Sequence, residues 1–240
     1  MKEDIIAIVC PDIHGRDFWK KAAEDYDGTV PFIFLGDYLD PYNDENITPE
    51  DAQNNFKEIW EFKEKWGDNV ILLLGNHDLS YYDKQFKTCR YCYGLADWYK
   101  DLLHRNIEKF KIAYSLENEG KTFLFSHAGI NPNWLLNNFF DEKYDAKYVN
   151  SLFVTNPQSF DQYTYYRGGY RLAGSPVWCD IREFLSLKVD FNENIKQVVG
   201  HTQLAVDKLD AFNVTCIDSR QTFVITRDNE IKKWDCLNEK

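Results

Sequence analysis

Val70-Ile71-Leu72-Leu73-Leu74-Gly75-Asn76-His77-Asp78 is an unbroken apolar run that stops at a glycine and then delivers an amide, an imidazole and a carboxylate in succession. A short apolar run without polar alternation suits a strand covered on both faces, as in a parallel sheet. The same arrangement recurs in Val9-Cys10-Pro11-Asp12-Ile13-His14-Gly15, Phe34-Leu35-Gly36-Asp37-Tyr38-Leu39-Asp40, Leu124-Phe125-Ser126-His127-Ala128-Gly129 and Val198-Val199-Gly200-His201-Thr202. In an open α/β sheet the carboxyl ends of the strands face one crevice. The pattern therefore predicts that Asp12, His14, Asp37, Asp40, Asn76, His77, His127 and His201 converge, with glycines beside most of them letting the backbone turn sharply.

Between these segments strands alternate with helices. Ile5–Val9, Pro31–Leu35 and Val70–Leu74 read as strands, and Phe18–Asp25 reads as helical. Pro49–Trp66 reads as a long helix, with Thr48 as N-cap and Phe56, Ile59, Trp60 and Lys63 at helical spacing. Leu95–Arg105 looks helical, and Phe110–Leu116 with Lys121–Ser126 look like two strands about Glu119-Gly120. Helices are expected at Pro132–Phe139 and Ala146–Phe153, inside an insert around 131–174 rich in Tyr, Phe and Asn. Ile195–Val199, Val214–Ile217, Phe223–Thr226 and Glu230–Trp234 suggest a second sheet. The fold class is α/β, with a mostly parallel sheet covered by helices.

At 240 residues the chain suits one large domain spanning 1–240, and the 16% aromatic share suits a well-filled core. No apolar run reaches the roughly 18 residues of a membrane span. Met1 to Asp12 enters an apolar strand without a basic leader, so a cytoplasmic location is expected. The net charge of -11 argues against a nucleic-acid scaffold or an anionic membrane as partner. It does not exclude a phosphorylated substrate, because bound cations supply positive charge locally. Cys10 and Cys216 read as buried small hydrophobes. Cys89-Arg90-Tyr91-Cys92 has the spacing of half a zinc site, but no second pair follows, so these read as reduced thiols.

Four of the five histidines lie in the strand-end motifs, interleaved with three aspartates and an asparagine; only His104 sits elsewhere, in a helical stretch where a surface or capping role is expected. Oxygen and imidazole donors without thiolate suit manganese first, with iron, zinc or nickel as alternatives. The donors outnumber the needs of one ion, which predicts two.

The order DxH, GDxxD, GNHD, SHAG and GHT resembles the calcineurin-like metallophosphoesterase superfamily. Within it the chain is most similar to the phosphoprotein phosphatase branch, which includes bacterial Ser/Thr phosphatases and their diadenosine tetraphosphatase relatives. The resemblance implies a two-sheet β-sandwich flanked by helices. It implies that Asp12 and His14 bind a first ion, that Asp37 bridges both, and that Asn76, His127 and His201 complete the second. It implies that Asp40 orients His77 as general acid while a hydroxide shared by the ions attacks phosphorus. Three departures stand out. Pro41 and Tyr42 replace the Arg-Gly that usually follows GDxxD, so the phosphate grip must come from Arg16, Arg167, Arg171 or Arg182, the last being preferred because it follows Trp178-Cys179-Asp180. Gly200-His201-Thr202-Gln203 lacks the second histidine of many diesterases. Asp40 departs from the tetraphosphatases, whereas Ser126–Trp134 resembles them. A phosphomonoesterase acting on phosphoserine or phosphothreonine, a dinucleoside polyphosphate hydrolase and a catalytically dead scaffold are the competing expectations; a scaffold commonly loses ligands that are all present here.

Overall fold

The hydrophobic runs that open each motif form the central strands of a computed structural model, which describes residues 4–140, 145–186 and 194–235. In chain order the regular elements are β1 (Ile5–Cys10), α1 (Lys20–Glu24), β2 (Phe32–Phe34), α2 (Pro49–Trp66), β3 (Val70–Leu73), α3 (Asn76–Tyr82), α4 (Ala96–Asn106) and β4 (Phe110–Lys111). They continue with β5 (Ala113–Asn118), β6 (Lys121–Ser126), α5 (Pro132–Phe139), α6 (Ala146–Thr155), α7 (Ile181–Ser186), β7 (Ile195–Val199), β8 (Leu209–Ala211) and β9 (Val214–Cys216). The chain ends with β10 (Phe223–Thr226) and β11 (Ile231–Lys233). The described residues divide into two compact units, 4–110 with 220–235, and 111–219.

The first unit is built on the sheet β11-β10-β1-β2-β3-β4. β1, β2 and β3 are parallel and nearly in step, with Ile8 opposite Phe32 and Phe32 opposite Val70, so their carboxyl ends share one edge. Beyond that edge the ladder continues through the loops: His14 N–H donates to the Asp37 carbonyl (2.6 Å) and Gly15 N–H to that of Tyr38 (3.0 Å). The expectation of a mostly parallel sheet is corrected on its far side. β10 runs antiparallel to β1 and β11 antiparallel to β10, so two strands assigned to a second sheet by their sequence position complete the first.

α2 starts where its cap dictates. The Thr48 side chain accepts from Asp51 N–H (3.1 Å), and Asp51 Oδ2 accepts from Thr48 N–H (2.9 Å), with Pro49 at the first helical position. Ala52, Phe56, Ile59 and Lys63 form its buried stripe. The Lys63 stem is buried, and its ammonium donates to the Gly67 and Val70 carbonyls at 2.9 Å, tying the helix end to β3. Phe56 meets Tyr38 and Tyr99 with ring centroids 4.9 and 5.1 Å apart, joining α2, the β2 loop and α4 in one aromatic core.

The second unit carries the sheet β5-β6-β7-β9-β8. β5 and β6 form a hairpin whose turn residues Glu119 and Gly120 take φ 48° and 80°, matching the twist of a two-residue hairpin loop. The strand expected over Phe110–Leu116 breaks at Ile112. Asn150 Oδ1 accepts the Ile112 and Ala113 N–H groups (2.8 and 3.0 Å), so the chain leaves one ladder and starts another. β6, β7 and β9 are parallel, which places the carboxyl ends of β6 and β7 side by side. α6 packs on β5, and α7 on β8 and β9. Residues 141–144 of the aromatic insert and Cys236 lie outside the described residues. Among the described residues, no helix is long and apolar enough to cross a membrane.

Candidate metal centre

In the first unit the loops after β1, β2 and β3 bring Asp12, His14, Asp37, Asp40, Asn76 and His77 to the shared strand edge, all of them buried. His14, Asp37 and Asp40 take φ 45°, 54° and 59°. Left-handed backbone at non-glycine residues is uncommon and clusters where the surrounding structure over-determines it. Gly36 makes the close passage possible: with φ 105°, a Cβ there would stand 2.4 Å from the Gly75 nitrogen.

The donor set suits a divalent cation. His14 Nδ1 lies 2.7 Å from the Leu39 carbonyl and donates its proton there, which leaves Nε2 as a lone-pair donor. Burial, with the neighbouring His77 charge, keeps the His14 imidazole neutral by holding its pKa well below the usual range. Its Nε2 lies 3.5 Å from Asp37 Oδ2 and 4.0 Å from Asp12 Oδ2. Ligand atoms of His14, Asp37 and His77 all lie within 4.8 Å of one another. A neutral imidazole nitrogen facing two carboxylates is the arrangement a hard or borderline dication stabilises.

His77 is held from both ends. Its N–H donates to Asp37 Oδ1 (2.9 Å), and its Nδ1 bonds to Asp40 Oδ2 (2.7 Å). Burial opposes charge on this imidazole, but the Asp37 and Asp40 carboxylates outweigh it and push the pKa up to about 10. Asp40 is itself fixed by the Tyr81 hydroxyl and by Cys92 N–H (3.0 Å), both donating to Oδ1. Cys89 lies against His77 and its thiol pKa is lowered by that contact. No described cysteine is in a disulfide.

Residues that the sequence reading left without a role also shape the site. Asp78 accepts from Asp37 N–H (2.7 Å), Gly75 N–H (2.8 Å), Tyr38 N–H (3.3 Å) and the Tyr99 hydroxyl (3.0 Å), and so sets the turn on which Asp37 sits. Burial beside Asp37 raises its pKa to about 7. Its place in Gly75–Asp78 was the available signal. For Tyr81 the signal was helical spacing, four residues beyond His77 on α3.

In the second unit the ends of β6 and β7 deliver His127 and His201, with Nε2 and Nδ1 3.0 Å apart. Gly200 N–H donates to the His127 carbonyl (2.8 Å), and Trp178 stands edge-on to His201 at 5.7 Å. Arg167 and Arg182 both clasp the buried Asp180, Arg167 through Nε at 2.9 Å and Arg182 through Nε and NH2 at 2.7 and 2.8 Å. Arg167 also donates to Thr202 Oγ1 (2.8 Å) and the His201 carbonyl (3.2 Å). Glu183 was not singled out in the sequence. It accepts from Asp180 N–H, Gly174 N–H, Asn131 Nδ2 and Thr164 Oγ1 at 2.9–3.0 Å and pins this corner. Of the other two candidate arginines, Arg16 pairs with Glu45 (2.7 and 3.0 Å) and exposed Arg171 lies over Tyr170. His104 is exposed near the end of α4, bonded to the Tyr82 carbonyl (2.8 Å).

Residues 7–204 match the calcineurin-like phosphoesterase family. The chain belongs to this family. It is a metal-dependent phosphoric ester hydrolase with the α/β, two-sheet fold of calcineurin-like phosphoesterases. Solved structures with the same fold include a point mutant of a cold-active protein tyrosine phosphatase, with TM-score 0.56, 15% identity, 96% of this chain and 80% of that one covered. A protein serine/threonine phosphatase from Saccharomyces cerevisiae, described as similar to human phosphatase PP5, aligns with TM-score 0.54, 14% identity, 93% of this chain and 73% of that one covered. No curated protein sequence matches the chain. The family uses divalent metal ions, for which the buried carboxylates and imidazoles described above are candidate ligands.

Proposed function

We propose that the chain hydrolyses phosphomonoesters, with phosphoserine or phosphothreonine in proteins as the leading substrate class. Two divalent ions, manganese foremost, would be held by Asp12, His14, Asp37, Asn76, His127 and His201, with Asp37 serving both. Bound there, such ions supply Lewis acidity toward phosphoryl oxygens and make water nucleophilic at neutral pH. The observation that carries the reading is the His77–Asp40 pair at 2.7 Å. Asp40, fixed by Tyr81 and Cys92, accepts the Nδ1 proton, which leaves the opposite ring nitrogen to give its proton to the departing alkoxide. Such a donor is worth most when the leaving group is basic, as a serine or threonine alkoxide is. Phosphatases among the structural neighbours support a phosphomonoester. A dinucleoside polyphosphate is the second reading, favoured by the Ser126–Trp134 segment.

The test is His77→Asn in the manganese-loaded protein. Metal content stays near two ions per chain, turnover of a phosphothreonine peptide falls about 10²–10⁴-fold, and turnover of an activated aryl phosphate falls much less. Equal losses on both esters, together with lost metal, would overturn the role of His77. Wild-type preference for diadenosine tetraphosphate over the peptide would move the substrate to the second reading.

A further inference from the structure

Arg90 occupies the loop Cys89–Cys92, whose spacing invites a thiol reading, yet the loop is attached to the candidate site by other means. Cys92 N–H donates to Asp40 Oδ1 (3.0 Å) and contacts the Tyr81 hydroxyl (2.9 Å), and Tyr91 stacks on Tyr81 with centroids 4.3 Å apart. The same carboxylate that holds His77 therefore also holds this loop. Arg90 adopts φ 57°, a further left-handed residue beside His14, Asp37 and Asp40.

The guanidinium is placed with unusual completeness. Its carbon lies 3.8 Å from the centre of the Tyr42 ring, and its Nε donates to the Asp40 carbonyl at 3.3 Å. NH1 reaches Cys89 Sγ at 3.3 Å, and NH2 stands 3.5 Å from His14 Nε2. A ring face, a carbonyl, a thiol and an imidazole surround it, and no carboxylate among the described residues pairs with it. The other two guanidinium groups near Tyr42 share one carboxylate: Arg16 and Arg220 both pair with Glu45. A half-buried guanidinium without an anion is a fixed charge awaiting one, and its planar fork matches two oxygens of a phosphoryl group.

We propose that Arg90 binds the phosphoryl dianion of a monoester substrate, taking two of its oxygens while His14 and Asp37 serve the ions. This rests on the phosphomonoesterase reading above and deepens it. The position of NH2 carries the argument: a phosphoryl group bound beside His14 Nε2 has this donor as its neighbour. Tyr42, which follows Asp40-Pro41, serves as the platform that orients the fork. A diester carries one negative charge fewer, so a fixed cation at Arg90 favours the monoester dianion.

The experiment compares Arg90→Ala and Arg90→Lys with Arg105→Ala, an exposed arginine paired with Asp101, in the manganese-loaded full chain. Inorganic phosphate binding is measured by calorimetry, and kcat and KM are measured for an aryl phosphomonoester and the matching diester. Arg90→Ala is expected to weaken phosphate binding and raise the monoester KM about 10–100-fold. Metal content and melting temperature stay close to wild type and diester hydrolysis falls much less, so the monoester preference narrows. Arg90→Lys, which keeps the charge without the fork, falls between, and Arg105→Ala changes none of these. Unchanged phosphate affinity and unchanged preference in Arg90→Ala would overturn the proposal, as would finding the same losses instead in Arg167→Ala or Arg182→Ala. If Arg90→Ala does not fold, Arg90→Lys with wild-type KM overturns it alone. Wild-type protein that neither binds phosphate nor cleaves the monoester would sink the function reading itself, and this proposal with it.

Discussion

His77 concentrates the electrostatics of the first unit in one side chain. Two carboxylates overcome the cost of burying its charge, and the folded protein consequently holds a proton that the unfolded chain releases at ordinary pH. The sign of the linkage follows from the raised value: the folded pKa is about 10 against an ordinary 6.5, so the stabilisation is complete below about pH 6.5 and disappears as pH rises through about 10. The chelated, metal-free protein should therefore show a stability advantage over His77→Asn at pH 6 that shrinks steadily across the range from 7 to 10. Urea unfolding midpoints of both proteins measured across that range check this, and a gap independent of pH would show that the imidazole carries no such proton. The backbone around it is equally specialised. His14, Asp37 and Asp40 hold left-handed conformations costing on the order of 1 kcal/mol or more each, offset by the loop ladder between β1 and β2 and by the carboxylate of Asp78.

Helix α2 shows how far one element can be read from its own residues. Its cap, its first-turn proline, its acidic N-terminus and its buried stripe are all local, and the helix begins and ends where they place it. Thr48→Ala removes one half of the capping box and should cost about 1 kcal/mol, a drop of roughly 2–4 °C in melting temperature with unchanged kcat. A loss of activity larger than the loss of stability would mean that α2 positions the Asp37 loop more directly than its packing implies. The break at Ile112 belongs to the opposite case. Phe110–Leu116 has the composition of one strand, and what divides it is the side chain of Asn150, whose oxygen accepts hydrogen bonds from two backbone N–H groups 38 and 37 residues away. No periodicity in the segment itself could report that contact. β10 is similar: its buried run Phe223–Thr226 declares a strand, but its antiparallel place beside β1 depends on partners more than 200 positions earlier.

On the scale of the molecule, metal should behave as a ligand of the folded state alone. Adding manganese to chelated protein at about one hundred times its dissociation constant should raise stability by about 2.7 kcal/mol, seen as an upward shift of the melting temperature that Asp37→Asn largely abolishes. A melting temperature indifferent to the ion would argue that the carboxylates do not hold it. Much of this site was legible because metal chemistry needs particular atoms, and those atoms come only from a few residue types: a histidine or aspartate directly after a buried apolar run announces itself. Local pattern was enough to read that strands alternate with helices and that their ends carry Asp12, His14, Asp37, Asn76, His77, His127 and His201, while the family came from the resemblance of those motifs and from the match over residues 7–204. The folded arrangement was needed to show that Asp78 and Glu183 anchor backbone turns, that Arg167 and Arg182 are joined through Asp180 while Arg90 has no carboxylate partner among the described residues, and which strands share each sheet. The reason is one of range: strand and helix patterns repeat over a few residues, whereas the partner of a buried charge is set by which distant segments the fold brings within a few ångströms.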